Sequence, residues 1–302
     1  MNIYVHPDQL GHEHTFPTFA KADWIVQFLA GAPLEGVDVV SPDRASRSQI
    51  EAVHDSEYVE AIVVGGPLAE GNGFTWSDDL WSMVRGSTGG VIAAVREAFR
   101  TRSIAGALAS GLHHARADHG SGYCTINGIA VAAVQVIRDG ARRVLVLDVD
   151  AHCGGGTASM IAMVDGVEQV DVSVHRYDWY PSSPTARVVV VDEVGRDGAA
   201  YLAAIEDALA RIEDPSTIDV MILNAGVDPH EGAGGVDGIT DEVLEARERM
   251  IFEWANLHGV PVAWVLAGGY IGGVDQDGLV ALHVQTIRAA AEAAAAREGV
   301  AL

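Results

Sequence analysis

Short apolar runs alternate with longer amphipathic stretches along most of the chain. Four of the runs, at residues 104–109, 144–149, 219–224 and 261–266, have the near-continuous hydrophobicity of strands covered on both faces. Further strands are expected at residues 2–6, 168–174 and 187–191. Helices are expected over residues 16–29, 79–99, 125–139, 199–212, 240–257 and 278–297. Such alternation specifies an α/β fold, a three-layer αβα sandwich around a mostly parallel central sheet. The 302 residues could fill two average domains, but no Pro/Ser-rich linker, charge block or internal repeat divides them, so a single domain over residues 1–302 is expected.

Reactive side chains gather where these strands end. The run VLVL at 144–147 leads directly into Asp148, Asp150 and His152, and in open α/β sheets ligands bind beyond the carboxyl ends of the strands. Asp150 and His152 are two residues apart, so an extended chain projects both to one side, where a single metal ion could take both. Taken alone, the segment reads equally well as a helix cap at Asp148 and a solvated loop histidine at His152. Three other strand ends shift the balance. The run at 104–109 ends in SGLHH, with His113 and His114 adjacent; residues 219–223 lead to NAGVD, ending at Asp228; and residues 261–266 lead to AGGY, ending at Tyr270. Together they suggest one metal held by Asp150, His152 and Asp228, open on one side to water, with two histidines and a tyrosine nearby.

These segments resemble the histone deacetylase and acetylpolyamine amidohydrolase family, in its bacterial, deacetylase-like form. The matching stretches are GLHHA (111–115), GYCTIN (122–127), DVDAH (148–152), SVH (173–175) with Tyr180 and Pro181, GVD (226–228) and GGY (268–270), preceded by VHDSEY (53–58). They occur in the family's order. The resemblance implies the arginase/deacetylase fold and a metal-dependent hydrolase of acylated amines. Asp150, His152 and Asp228 would hold a zinc ion, His114 would act as general base and then acid with His113 as its electrostatic partner, and Tyr270 would donate to the oxyanion. Asp148 would bond His113 and, with Ser173 and the carbonyls of Asp150, His152 and Val174, help bind a structural potassium ion. Gly122, Tyr123 and Tyr180 would line a narrow substrate tunnel, although core packing explains either tyrosine equally well.

The chain departs from that pattern just after His152. Where the family has His-Gly-Asp-Gly or His-Gly-Asn-Gly, it has Cys153 and three glycines, so Gly155 takes the place of the group that orients the base, here His114. What orients His114 is open: another acceptor, such as Asn127 or an ordered water, could substitute. Restoring the acid with Gly155→Asp or Gly155→Asn should raise the rate if the dyad is merely incomplete, whereas no gain would mean that another residue already orients His114. A homologue that binds metal and ligand without turnover is the alternative from another class. Cys153 is read as a small buried hydrophobe. An arginase-like binuclear manganese site lacks ligands, because Gly154 stands where a bridging carboxylate is needed.

Composition narrows the partners. The formal charge of −23 argues against an electrostatic grip on nucleic acid or anionic lipid and permits steering of cationic substrates. The chain has two cysteines, one lysine (Lys21), no membrane-length apolar run and no signal-peptide pattern, which fits a cytoplasmic protein. The acidic stretches at 199–213 and 240–254 read as solvated helix faces. A short segment at 67–76, where acetylpolyamine hydrolases often carry a long insertion, favours an open-mouthed deacylase for an acylated lysine peptide or a small acylated amine. Acetylpolyamine hydrolysis is the near alternative, and the oligomeric state is open.

Overall fold

The computed structural model describes residues 1–11, 17–191 and 197–300. Eight strands form one sheet in which every pairing is parallel. They are β1 (Asn2–Tyr4), β2 (Asp38–Val40), β3 (Ile104–Ala107), β4 (Val144–Asp148), β5 (Val167–Ser173), β6 (Ala186–Val190), β7 (Val220–Asn224) and β8 (Val262–Val265), in spatial order β2-β1-β3-β8-β7-β4-β5-β6. The helices are α1 (Pro17–Gly31), α2 (Arg47–Ile50), α3 (Ser56–Val64), α4 (Leu80–Thr101), α5 (Gly128–Arg138), α6 (Gly155–Ile161), α7 (Gly198–Ala210), α8 (Asp241–Leu257) and α9 (Gln276–Val300). This is the expected α/β sandwich.

The sheet has a core on each face, and the period of a strand divides the residues between them. Leu145 and Leu147 of β4 join one core with residues of α1, α7, α8 and α9. Val144 and Val146 join the other with residues of α4 and α5. Every residue of β3, β4, β7 and β8 is buried, as their unbroken apolar runs require.

Differences from the sequence expectation have local causes. The edge strand β2 was not anticipated: it has three residues and Asp38 and Val39 are exposed, so it carries no hydrophobic signature. The expected helix at 125–139 begins later because Asn127 caps it, its side chain accepting from the N–H of Ala130 at 3.0 Å. Phe16, expected to open the first helix, lies outside the described residues. The acidic stretch on α8 is not wholly solvated, since Arg247 and Glu248 are buried as an ion pair. The Arg247 guanidinium donates to the carbonyls of Gly226 (2.6 Å) and Val149 (3.2 Å), bracing two loops that lead to the site. Among the described residues, no helix is long and apolar enough to cross a membrane.

Candidate active site

Strands β3, β8, β7 and β4 are consecutive neighbours and all parallel, so the loops that follow them meet at one edge of the sheet. There they form a small cavity whose lining includes His113, His114, Gly122, Tyr123, Asp150 and Tyr270.

Asp150, His152 and Asp228 converge beside it. His152 Nδ1 lies 3.2 Å from Asp150 Oδ1 and 3.1 Å from Asp228 Oδ2, and one donor atom from each residue falls within 4.8 Å of the other two. The remaining oxygens are held in place by backbone donors: Gly268 N–H to Asp150 Oδ2 at 2.8 Å and Ala151 N–H to Asp228 Oδ1 at 3.0 Å. Gly268 has to be glycine, because a Cβ there would stand 2.3 Å from Asp228 Oδ2. Asp228 Oδ2 is buried and, apart from the His152 ring nitrogen 3.1 Å away and out of line for a good hydrogen bond, has no donor. Two buried carboxylates whose oxygens converge on one imidazole nitrogen fit a divalent cation. Burial and then the neighbouring Asp150 raise the Asp228 pKa. Burial would lower the His152 pKa, but Asp150 and Asp228 hold it up to about 11.

The paired histidines are held in two different ways. His113 Nδ1 lies 2.9 Å from Asp148 Oδ2, and Asn224 Nδ2 donates to Asp148 Oδ1 at 2.9 Å. Burial alone would lower the His113 pKa, but Asp148 and Asp150 hold it up to about 10, so the ring is cationic at neutral pH. His114 stacks against it with ring centroids 3.9 Å apart, and burial followed by this adjacent charge lowers its pKa to about 4. His114 is therefore the neutral ring of the pair. Its Nδ1 lies 3.0 Å from Oδ2 of Asp178.

Asp178, in the loop after β5, is thus the acceptor that faces His114, and Asn127 is not. Asn127 Nδ2 donates to Ala115 O (3.1 Å) and Thr157 Oγ1 (3.0 Å), while its Oδ1 caps α5. Cys153 is buried and its thiol faces the carbonyl of His175 at 3.3 Å, as a small core residue.

The aromatic wall also differs from expectation. Gly122 has φ +52°, and a Cβ there would come within 2.5 Å of His114 Cδ2, so glycine lets the chain cross the histidine ring. Tyr123 follows, 42 % exposed, its ring 5.2 Å from Phe74. Tyr180 does not line the cavity; its hydroxyl donates to Arg187 O on β6 at 3.1 Å, which turns it toward the sheet. The ring that faces His114 is Tyr177, edge-on at 4.8 Å and 49 % exposed. Of the two expectations for Tyr180, its placement is that of core packing; the loop turns just before it at Asp178, with φ +57°.

Tyr270 lines the cavity, and burial followed by the Asp228 and Asp150 charges raises its pKa, so its hydroxyl keeps its proton. Asp148 and Ser173, expected around potassium, are both fully buried. Ser173 Oγ donates to Asp171, for which the motifs give no role and which is in register with Asp148 across β4 and β5. An acid inside an apolar strand was the available signal. Lys21 was a second: the single lysine sits in α1, fully buried, donating to Ala267 O. Burial lowers its pKa to about 8, against the pull of Asp228 and Asp150.

Two buried carboxylates and a partly buried imidazole stand beside paired histidines at the carboxyl edge of a parallel sheet. Residues 18–282 match the family described as Histone deacetylase domain, and the chain belongs to it. It is 30 % identical over 281 residues to an uncharacterised protein of Picosynechococcus, covering 89 % of this chain and 91 % of that one. It is 26 % identical over 280 residues to Histone deacetylase 2 of Arabidopsis thaliana, covering 87 % and 71 %. It is 27 % identical over 259 residues to a probable deacetylase of Methanothermobacter thermautotrophicus, covering 76 % and 73 %. Among solved structures, the HDA15 HD domain superposes with TM-score 0.79 at 20 % identity, covering 96 % of this chain and 90 % of that one. The acetylpolyamine aminohydrolase of Burkholderia pseudomallei superposes with TM-score 0.76 at 22 % identity, covering 96 % and 98 %. The arginase/deacetylase fold follows from this likeness.

Proposed function

We propose that the protein is a metal-dependent amidohydrolase that removes an acyl group from an acylated lysine side chain or a small acylated amine. The observation that carries the reading is the convergence of Asp150, His152 and Asp228 beside the cavity that His114 and Tyr270 line. When a divalent ion, zinc in our reading, is held by these three ligands, it supplies Lewis acidity toward the carbonyl oxygen. The protein's own groups do the rest. His114, neutral at physiological pH, takes a proton at Nε2 from the water that adds to the carbonyl carbon. Tyr270 donates to the oxygen that becomes anionic. His113, held cationic by Asp148 and Asp150, adds positive potential next to that charge. The C–N bond then breaks as His114 returns its proton to the amine nitrogen, releasing a carboxylic acid and the free amine.

Asp148 and Ser173 would hold a potassium ion behind the histidines. What supports this is the pair of buried carboxylates, Asp148 and Asp171, in register across β4 and β5. The substrate side is read as open-mouthed, since the segment after α3 packs its Phe74 against Tyr123 and Phe19, at 5.2 and 4.9 Å, instead of overhanging the cavity. The net charge of −23 suits amine-bearing substrates more than nucleic acid or anionic membranes. Two buried, unpaired cysteines suit the cytoplasm. The binding-only alternative loses its main support, because His114 has a carboxylate acceptor.

The test is amine release by zinc-loaded protein from a panel of acetyl-lysine peptides, longer acyl-lysines and acetylated polyamines. Turnover that disappears in His114→Ala and falls sharply in Tyr270→Phe supports the reading, and the preferred panel member names the substrate class. Zinc-bound protein that hydrolyses none of them sinks it.

A further inference from the structure

We infer that Asp178 is the positioning residue for His114, a carboxylate supplied from the loop after β5 in place of the one missing at Gly155. The inference rests on the hydrolase reading above and assigns that site a part which its sequence motifs do not contain.

Three observations carry it. First, the geometry is that of an orienting acceptor. Asp178 Oδ2 lies 3.0 Å from His114 Nδ1, which places the ring proton on Nδ1 and leaves the Nε2 lone pair free for substrate chemistry. Second, the carboxylate is built in. The same Oδ2 accepts from Gly156 N–H at 2.9 Å, Oδ1 accepts from the Arg116 guanidinium, and the Asp178 side chain is only 9 % exposed. Arg116 also donates to Gly155 O at 3.2 Å, tying the pair to the start of α6. Third, Gly155 and Asp178 exclude one another's alternatives. A Cβ at Gly155 would stand 2.3 Å from the Asp178 carbonyl oxygen and 2.6 Å from its Oδ1. The absence of a side chain at Gly155 and the presence of the acid at Asp178 are therefore one arrangement.

The relocation has a mechanical corollary. Asp178 follows Tyr177, whose ring meets His114 edge-on at 4.8 Å, so the acceptor of the base and an aromatic ring packed against that base share one loop. That loop is pinned to the metal-ligand loop by Cys153 N–H donating to Tyr177 O at 3.1 Å.

The experiment compares wild type, Asp178→Ala and Asp178→Asn as zinc-loaded proteins, by ¹⁵N NMR of the His114 ring and by steady-state kinetics. In wild type His114 should hold its proton on Nδ1. In Asp178→Ala the tautomers should mix and kcat fall about 10- to 100-fold with KM changed less than about threefold. Asp178→Asn preserves the shape, keeps an acceptor and should lose less, which covers the case in which the alanine variant fails to fold. A His114 ring whose tautomer is the same in wild type and both variants overturns the inference, as does a kcat in both within about threefold of wild type. The NMR result decides even for a protein that hydrolyses nothing on the panel, so failure here is separable from failure of the hydrolase reading.

Discussion

Asp148 and Asp171 are register partners across β4 and β5, and both are completely buried. Burial, then repulsion from Asp148, raises the Asp171 pKa well above the usual carboxylate range. An acid whose folded-state pKa is raised contributes stability that is full below its ordinary pKa near 4 and is lost as pH rises through the folded value. Without potassium, thermal stability should therefore fall with pH above about 4. Asp171→Asn should flatten that fall and gain a few degrees in Tm near pH 7, about 2–4 °C for each 1 kcal/mol in a chain of this size. Scanning calorimetry with and without potassium checks this, and a wild-type Tm indifferent to potassium removes the case for the ion.

Zinc binding should release protons. Asp150 and Asp228 hold the His152 pKa up to about 11 against its burial, which favours the protonated ring at pH 7, yet an imidazole must be neutral to ligate a metal. Calorimetric titrations in buffers of differing ionisation enthalpy should show close to one proton leaving per zinc at pH 7. Because the raised His152 pKa stabilises the metal-free fold below about 6.5 and less as pH approaches 11, the gain in Tm on adding zinc should grow with pH over that range. Asp228→Asn should abolish stoichiometric zinc in elemental analysis.

Restoring an acid at residue 155 should do harm. Its Cβ would lie 2.3 Å from a backbone oxygen, which cannot swing away as a side-chain tip could. Gly155→Asp should displace the Asp178 loop, cost on the order of 1–3 kcal/mol in stability and lower kcat/KM about tenfold or more. An increase in rate would mean that the loop yields and that the family's usual arrangement is still accessible.

Tyr177 and Tyr180 should separate cleanly. Tyr177→Ala removes the ring that faces His114, so KM should rise several-fold or more, whereas Tyr180→Phe should leave kcat/KM within about twofold. Losing the Tyr180 bond to Arg187 O should instead cost about 1 kcal/mol in a denaturant midpoint. The reverse pattern would return Tyr180 to the substrate wall.

Truncating Arg247 should unfold much of the site without touching it. Arg247→Ala leaves Glu248 buried without its guanidinium partner and frees the carbonyl of Gly226, while Val149 O keeps the Tyr201 hydroxyl at 2.7 Å, for a cost of about 3–5 kcal/mol. Chemical denaturation measures this directly. Thr286 Oγ1 donates to Glu248 at 2.9 Å and is too weak a partner to replace the guanidinium.

What the sequence disclosed follows from how each feature is encoded. Asp150, His152, Asp228, His114 and Tyr270 were legible because each lies just past an apolar run, and parallel strands turn that one-dimensional position into a shared edge. Asp178 was not, since its partner His114 is 64 residues away and nothing about one acid among Arg176, Tyr177 and Trp179 announces it. Tunnel wall and core packing stayed equal for Tyr180, because a matched position says nothing of the left-handed turn at Asp178 that precedes it or of its bond to Arg187 O. Buried Arg247 was hidden in an acidic helix because composition averages over faces that packing treats separately.

Neighbouring parallel strands stand about 4.8 Å apart, so each loop at the carboxyl edge hangs within a side chain's reach of the next. His114 follows β3, Asp150 and His152 follow β4, Asp228 follows β7, and Asp178 follows β5. A reactive constellation hung this way is interchangeable by parts: a group erased from one loop can be supplied by another while the scaffold and every other member stay put. Inventories of active residues drawn up column by column from aligned sequences would then score such a protein as defective, when the vacancy in one column has been filled from a different one.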